Sequence, residues 1–327
     1  MNFKPKVSLI IPVFNGEKHL SKAIESSINQ SLEDIEVIII DDGSTDKTPL
    51  ILDDFKRKDS RIKVYTQEKN KGLGPTRNFG IEKATGEYLS FLDADDYLHP
   101  NAMESLYEQA KAENLDLLQS KYIHKTQKSK KILPDDLIPL PKPVSGTEYF
   151  HQTFFISPTS WAKLYKTDFL KSHQIKFPNI YYEDMPFVFE AISKAHRVSN
   201  NLMPTYIYQA TENSITSNFT QKHLEDYIKV LENLQAYFMQ SQLTDKYASF
   251  PVQYYLFLAR LSDKVIRFGT PKQKKKVKDF VEKQAKKYKV FLSKNRNYPF
   301  LKRMLLQASP YNYALLSHAF RPKKHCE

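Results

Sequence analysis

The feature that most constrains this chain is an alternation near its N-terminus. Short β-branched runs take turns with segments of helical spacing, and several of the runs end in acidic or amide side chains. Val7–Val13 is the first apolar run, followed by Glu17–Gln30 with Leu20, Ala23, Ile24, Ser27 and Ile28 at helical spacing. Ile35–Ile40 is the second, closed by Asp41-Asp42-Gly43-Ser44. Thr45 or Asp46 can then cap a helix carrying Leu50, Ile51, Leu52 and Phe55. Ile62–Tyr65, Tyr88–Leu92 and Leu115–Gln119 supply further strands, with helices predicted through Arg77, Asn78 and Ile81 and over Ala102–Ala112. Continuous apolar strands suit a sheet covered on both faces, and the βα rhythm makes it mainly parallel. The expected fold class is α/β.

Downstream the rhythm changes. Lys125–Lys142 is lysine-rich and carries Pro134, Pro139 and Pro141, which reads as a surface insertion. Trp161–Ser172 and Glu183–Lys194 read as helices and Tyr206–Tyr208 as a strand. From about Gln221 onward strands vanish, while Leu224–Met239, Tyr254–Phe268 and Lys274–Val290 have helical periods. The expected division is an α/β domain over residues 1–218 and a helical, basic C-terminal region over 219–327.

In open α/β sheets ligands sit beyond the carboxyl ends of the strands. Here that edge would gather Pro12-Val13-Phe14-Asn15, Asp41-Asp42 and Asp93-Ala94-Asp95. Clustered carboxylates repel unless a cation neutralises them, and oxygen ligands without Cys or His pairs suit Mg²⁺ or Mn²⁺ bridging to a diphosphate. Phe14 could stack on a base, Asp42 could accept a base N–H, and Arg77 could meet a ribose or phosphate. Blander roles stand beside these. Asp41-Asp42-Gly43-Ser44 alone is a turn and helix cap, and Glu183-Asp184 suits a helix N-terminus. Trp161 fits the core as well as an acceptor site, and His151 and His223 read as surface or packing residues. Gly72-Leu73-Gly74 is not a dinucleotide loop, because it follows the third strand and Arg77 stands where the last glycine would be.

These blocks resemble the family 2 glycosyltransferases of GT-A fold. The likeness lies in Val7–Asn15, Ile38–Asp46, Asn70–Ile81, Gly86–Asp96 with its Asp-x-Asp, and Tyr182-Glu183-Asp184-Met185-Pro186-Phe187, in order over residues 7–216. It implies a Rossmann-like sheet and a bacterial cell-envelope role, in polysaccharide, lipopolysaccharide or teichoic-acid synthesis. It implies an inverting transfer of a sugar from a nucleotide-sugar donor, UDP favoured, to a hydroxyl on a glycan, lipid-linked or anionic polymer acceptor. Pro12 and Phe14 would border the base, Glu17 would hold the turn, and Asp42 would accept the uracil N3–H. Asn70 and Arg77 would line the donor site, Asp93 would bind ribose or sugar, and Asp95 would ligate Mn²⁺ or Mg²⁺. Asp184 would be the catalytic base, with Glu183 orienting the acceptor. Gln209 and Thr211 depart from the family pattern, which has Arg and often His there. The competing readings are a metal-dependent sugar nucleotidyltransferase and a non-catalytic scaffold that kept the fold.

Composition narrows the partners. The 327 residues are 41% hydrophobic, too apolar for a disordered chain. Cys326 is the only cysteine, so no disulfide framework exists. No secretory signal and no apolar run of about 18 residues is present. The expected location is cytoplasmic, with contact at the inner face of the plasma membrane left open, as is a homo-oligomer. A net charge of +12 favours polyanionic partners. Lys264, Arg267, Lys272, Lys274, Lys275, Lys276, Lys278, Lys283 and Lys286 concentrate it in the C-terminal region. A solvated helix face is the ordinary reading, and an anionic membrane or acceptor polymer is the sharper one. Nucleic acid is not expected, because no module signature appears.

Overall fold

The computed structural model describes residues 5–127, 129–134, 137–153, 156–210, 219–240, 249–294 and 310–311. Two compact units divide the chain: Met1–Tyr149 with Ser157–Glu212, and Phe150–Ile156 with Asn213–Glu327.

The first unit is an α/β layer structure. Its strands are β1 (Val7–Val13), β2 (Ile35–Asp41), β3 (Ile62–Thr66), β4 (Tyr88–Phe91), β5 (Tyr97–Leu98), β6 (Leu117–Lys125), β7 (Lys130–Leu133), β8 (Lys163–Lys166) and β9 (Val198–Gln209). Its helices are α1 (Leu20–Ile28), α2 (Thr48–Lys58), α3 (Leu73–Lys83), α4 (Ala102–Ala112), α6 (Thr167–Ser172) and α7 (Asp184–Lys194), and α5 (Gly146–Gln152) runs across the division between Tyr149 and Phe150. The sheet runs β3-β2-β1-β4-β8-β6-β9-β5, and β7 pairs with β6. β3, β2, β1 and β4 are parallel neighbours, β8 is antiparallel to both β4 and β6, and β6 is parallel to β9.

Burial explains the strand composition. Every residue of β1 and β2 is buried, as a strand covered on both faces demands. Val7, Leu9, Ile11 and Val13 face a core shared with Leu20, Ala23, Ile24 and Leu106. On the opposite face α3 approaches so closely that a Cβ on Gly80 would lie 2.4 Å from Ile10 Cγ2. One buried position in β2 is not apolar: Glu36 accepts Ser8 Oγ at 2.6 Å, the Thr85 amide at 2.7 Å and Lys63 Nζ at 2.6 Å. Burial opposes its charge, and those donors outweigh burial and hold its carboxyl below the usual range.

Two stretches differ from the sequence reading. Trp161–Ser172, read as one helix, is strand β8 followed by the short helix α6. Its apolar side chains pack to both sides of an internal strand, which periodicity over so few residues does not separate from a helix. The Lys125–Lys142 insertion contains β7, an edge strand whose Lys130 and Lys131 are exposed, as edge strands favour.

The second unit contains α8 (Gln221–Gln240), α9 (Ser249–Phe268) and α10 (Pro271–Lys294). α9 packs against α8 and α10. Leu224, Val230, Leu231, Leu258, Leu261, Val265, Val277 and Val281 are fully buried. Among the described residues no helix is long and apolar enough to cross a membrane. Thr211 and Cys326 lie outside the described residues.

Candidate active site

The parallel register brings the carboxyl ends of β1, β2 and β4 to one edge. There the loop after β1 is latched to the loop after β2. Asn15 Oδ1 accepts the Thr45 amide at 2.8 Å, Asp46 Oδ2 accepts the Glu17 amide at 3.1 Å, and Glu17 Oε2 accepts the Lys47 amide at 3.2 Å. Pro12 is buried inside β1, whereas the Phe14 ring is 47% exposed at the strand's end. Asp42 is buried and accepts Gln67 Nε2 at 2.8 Å, the Lys71 amide at 2.9 Å and the Gly72 amide at 3.0 Å. Gly72 takes φ +93°, a conformation glycine adopts without cost, and that turn aims its N–H at the carboxylate. Asn70 Oδ1 shares the Gly72 amide at 2.9 Å.

The centre of the site is Arg77, only 1% exposed on α3. Its Nη1 donates to Glu183 Oε1 at 2.6 Å and Asp184 Oδ1 at 2.8 Å, and its Nη2 donates to Asp93 Oδ1 at 2.7 Å. The sequence suggested a ribose or phosphate contact for this residue. The structure spends its guanidinium on three carboxylates drawn from α7, its N-cap and the loop after β4. Burial alone would weaken the Arg77 charge, but Asp184, Asp93 and Glu183 outweigh burial and hold it firmly protonated. Burial pushes the Glu183 carboxyl up to about 7 against the pull of Arg77, with Asp184 adding to the rise. Asp93 is raised by burial, Arg77 opposing and Asp184 and Asp95 adding. Asp184 is held on its other oxygen as well, where Oδ2 accepts the Ser160 amide at 3.1 Å.

Asp95 is different. No cation lies within ion-pair distance of it among the described residues, and burial raises its carboxyl, with its own amide and His19 opposing. A desolvated carboxylate without a cation suits a metal ligand. Among the described residues no three Asp, Glu, His or Cys side chains form a ready-made metal cage. That is compatible with Mg²⁺ or Mn²⁺, which use one or two carboxylates and complete their shell with water and substrate phosphates.

Two residues of this edge escaped the sequence reading. Asp96 is buried, accepts Tyr206 Oη–H at 2.6 Å and the Gln209 amide at 2.7 Å, and burial with the charges of Asp93 and Asp95 pushes it up to about 8. The Tyr206 hydroxyl oxygen also accepts the Asp93 amide at 3.2 Å, and its ring stacks on Trp161 with centroids 4.4 Å apart. The one available signal was Asp96's place at the end of the Asp93–Asp96 run.

A family model described as glycosyl transferase family 2 matches residues 8–173, half of the chain. This chain is a family 2 glycosyltransferase. EpsH of Bacillus subtilis, itself described as a glycosyltransferase, is 32% identical over 74% of this chain and 72% of its own length. In fold, this glycosyltransferase is similar to S. aureus TarS 1–349 in complex with UDP-GlcNAc, with a TM-score of 0.66 at 21% identity over 97% of this chain and 93% of that one. It is also similar to the mannosyltransferase PcManGT from Pyrobaculum calidifontis in complex with GDP-Man and Mn²⁺, with a TM-score of 0.55 at 12% identity over 98% and 88%. The fold is GT-A. The matched span ends before Glu183 and Asp184, so the α7 end of this glycosyltransferase's site rests on geometry. Family membership sets aside the nucleotidyltransferase reading.

Proposed function

We propose that this chain is a metal-dependent, inverting glycosyltransferase that moves a sugar from a UDP-sugar to a hydroxyl of a cell-envelope glycan. The observation that carries the proposal is the Asp184 carboxylate, held by a buried guanidinium on one side and a main-chain N–H on the other, beside Glu183 and Asp93. A fixed carboxylate at the mouth of a nucleotide edge can take the acceptor proton as the new bond forms. One displacement from the face opposite the leaving diphosphate inverts the anomeric centre. Arg77 keeps Asp184 and Glu183 in register. Glu183, neutral below about pH 7, can donate to an acceptor oxygen and orient it.

On the donor side, Phe14 offers its exposed ring to the base and Pro12 shapes the wall behind it. Asp42 retains lone-pair capacity for one more N–H, which fits uracil N3. Asn70 borders the nucleotide, and Asp93, with one oxygen free of Arg77, faces ribose or sugar. Asp95 is the residue for Mn²⁺ or Mg²⁺; when bound, such an ion stabilises charge on the leaving diphosphate as a Lewis acid. Calorimetric titration with UDP should show binding that Mn²⁺ strengthens, and Asp95→Ala should abolish the metal-dependent part. UDP binding of equal strength with and without Mn²⁺ would remove Asp95 from its role.

The second unit supports an added contact with anionic lipid. On α10, Val277, Val281 and Gln284 form the buried seam, and the opposite side exposes Lys272, Lys275, Lys276, Lys283 and Lys286 with Asp279 among them. At 1.5 Å per residue those lysines span about 21 Å, and each adds about 1 kcal/mol at an anionic surface. Sedimentation with phosphatidylglycerol vesicles at low salt should carry the protein down, while phosphatidylcholine should not. Lys272→Gln with Lys275→Gln, Lys276→Gln and Lys283→Gln should release it. No sedimentation at low salt rejects this contact.

A further inference from the structure

Lys163 opens the internal strand β8 and is 1% exposed. No carboxylate lies within ion-pair distance of it among the described residues, and burial pushes its ammonium down to about 7, with the charge of Asp184 opposing. An ammonium kept out of water in this way is costly unless its protons are well used. Lys163 Nζ donates to Thr159 O at 2.7 Å and to Ser157 O at 3.1 Å. Neighbouring anchors hold the same segment. Tyr165 Oη donates to Ser160 O at 3.0 Å, and the Ser120 amide and hydroxyl reach Ala162 O at 2.9 and 3.1 Å. The chain then turns through Ala162 at φ +55°, which such a residue adopts only when its surroundings enforce it.

One peptide unit links this anchor to the site. The carbonyl of Thr159 and the N–H of Ser160 belong to the same planar trans peptide, so they point in opposite directions. Lys163 holds the carbonyl, and the N–H meets Asp184 Oδ2 at 3.1 Å. A cation on the carbonyl also polarises the peptide and strengthens its N–H as a donor. We propose that Lys163 is a positioning residue for the transfer reaction, acting on Asp184 through the Thr159–Ser160 peptide. The peptide plane cannot rotate without breaking the Lys163 bond, so the carboxylate's second oxygen keeps its donor while the acceptor approaches. This rests on Asp184 being the base.

The charged and titratable groups facing Asp184 are Arg77 from α3, Glu183 at the N-cap of its own helix, Asp93 from the loop after β4, and Lys163 and Tyr165 from β8. Replacing Lys163 removes a nearby cation and slackens a hydrogen bond to Asp184, and both changes leave the carboxylate less well held as a proton acceptor. Lys163→Met should therefore lower kcat by a factor on the order of 10–100, the range that slight misplacement of a catalytic group produces. The donor KM and UDP affinity should hold, and the acid limb of the kcat profile should move to higher pH. Lys163→Gln, which buries no charge, should fold readily and show the same direction of shift. A merely structural lysine would lower the folded fraction and leave the pH limb in place.

In an Asp184→Asn background, Lys163→Met should cause little further loss, because its target is gone. A full additional loss there, or an unmoved acid limb in both lysine variants, overturns the proposal. An Asp184→Asn enzyme that keeps its kcat instead overturns the base assignment itself, and so separates the two failures.

Discussion

Asp184→Asn should lower kcat by about 10²–10⁴-fold, the contribution of a positioned general base, while UDP binding stays at the native level. That loss corresponds to roughly 3–5 kcal/mol of transition-state stabilisation. The amide is nearly isosteric, and its single oxygen keeps one of the two bonds, from Arg77 or from the Ser160 N–H, while its NH2 can only donate; the fold should survive the loss of that one bond, and proton acceptance is removed. In the proposed reading the donor binds at the β1, β2 and β4 ends against Phe14 and Asp42, which the substitution does not touch. Glu183→Gln is the informative partner. It keeps a donor group beside the acceptor, so it should cost far less at pH 6, where the native side chain is already mostly neutral given its rise to about 7. Product formation from a panel of UDP-sugars, with calorimetry for UDP, measures both. An Asp184→Asn protein with native kcat would show that the base lies elsewhere.

The sequence carried the frame of this site and hid its centre. β1, β2 and β4 were legible because residues buried on both faces must be apolar, and parallel pairing then fixes where Asn15, Asp42 and Asp93 go. Glu36 and Lys163 were not legible. Each is a charged residue in a buried strand position, Glu36 held by remote segments and Lys163 by carbonyls of the turn just before it, and local patterning reads such a residue as exposure. That is also why β8 passed for a helix: a four-residue strand beginning with lysine gives no period-2 signal. The Arg77 cluster joins residues 16, 106 and 107 positions apart. Motif likeness could say that Arg77, Asp93, Glu183 and Asp184 all matter. Only the fold says that the arginine serves the acids. Asp96 and Tyr206 were missed for a related reason, since a buried tyrosine reads as core until its hydroxyl is seen against a carboxylate.

Arg77→Met should be the most destabilising single change in the first unit. Removing one partner of a buried ion pair costs about 3–5 kcal/mol because the other charge is left uncompensated, and here one cation faces three carboxylates. At roughly 2–4 °C per kcal/mol for a domain of this size, thermal denaturation should move down by roughly 6–20 °C near pH 8. Arg77→Lys keeps the charge without the planar fork that reaches Glu183, Asp184 and Asp93 together, so it should fall between the two. The pH dependence distinguishes electrostatics from lost packing against Phe177, over which the guanidinium lies at 5.4 Å. Glu183 and Asp93 already stand above their ordinary values, and without Arg77 they rise further. A carboxyl raised in the folded state binds more protons there than in the unfolded chain. Its contribution to stability is complete below the unfolded value near 4.3 and is lost as pH climbs through the folded one. The deficit of Arg77→Met relative to the native protein should therefore shrink as pH is lowered from 8 toward 5.5, where the uncompensated acids take up protons. A deficit of the same size across that range would assign the cost to packing and remove the charge cluster as the organising element of the site.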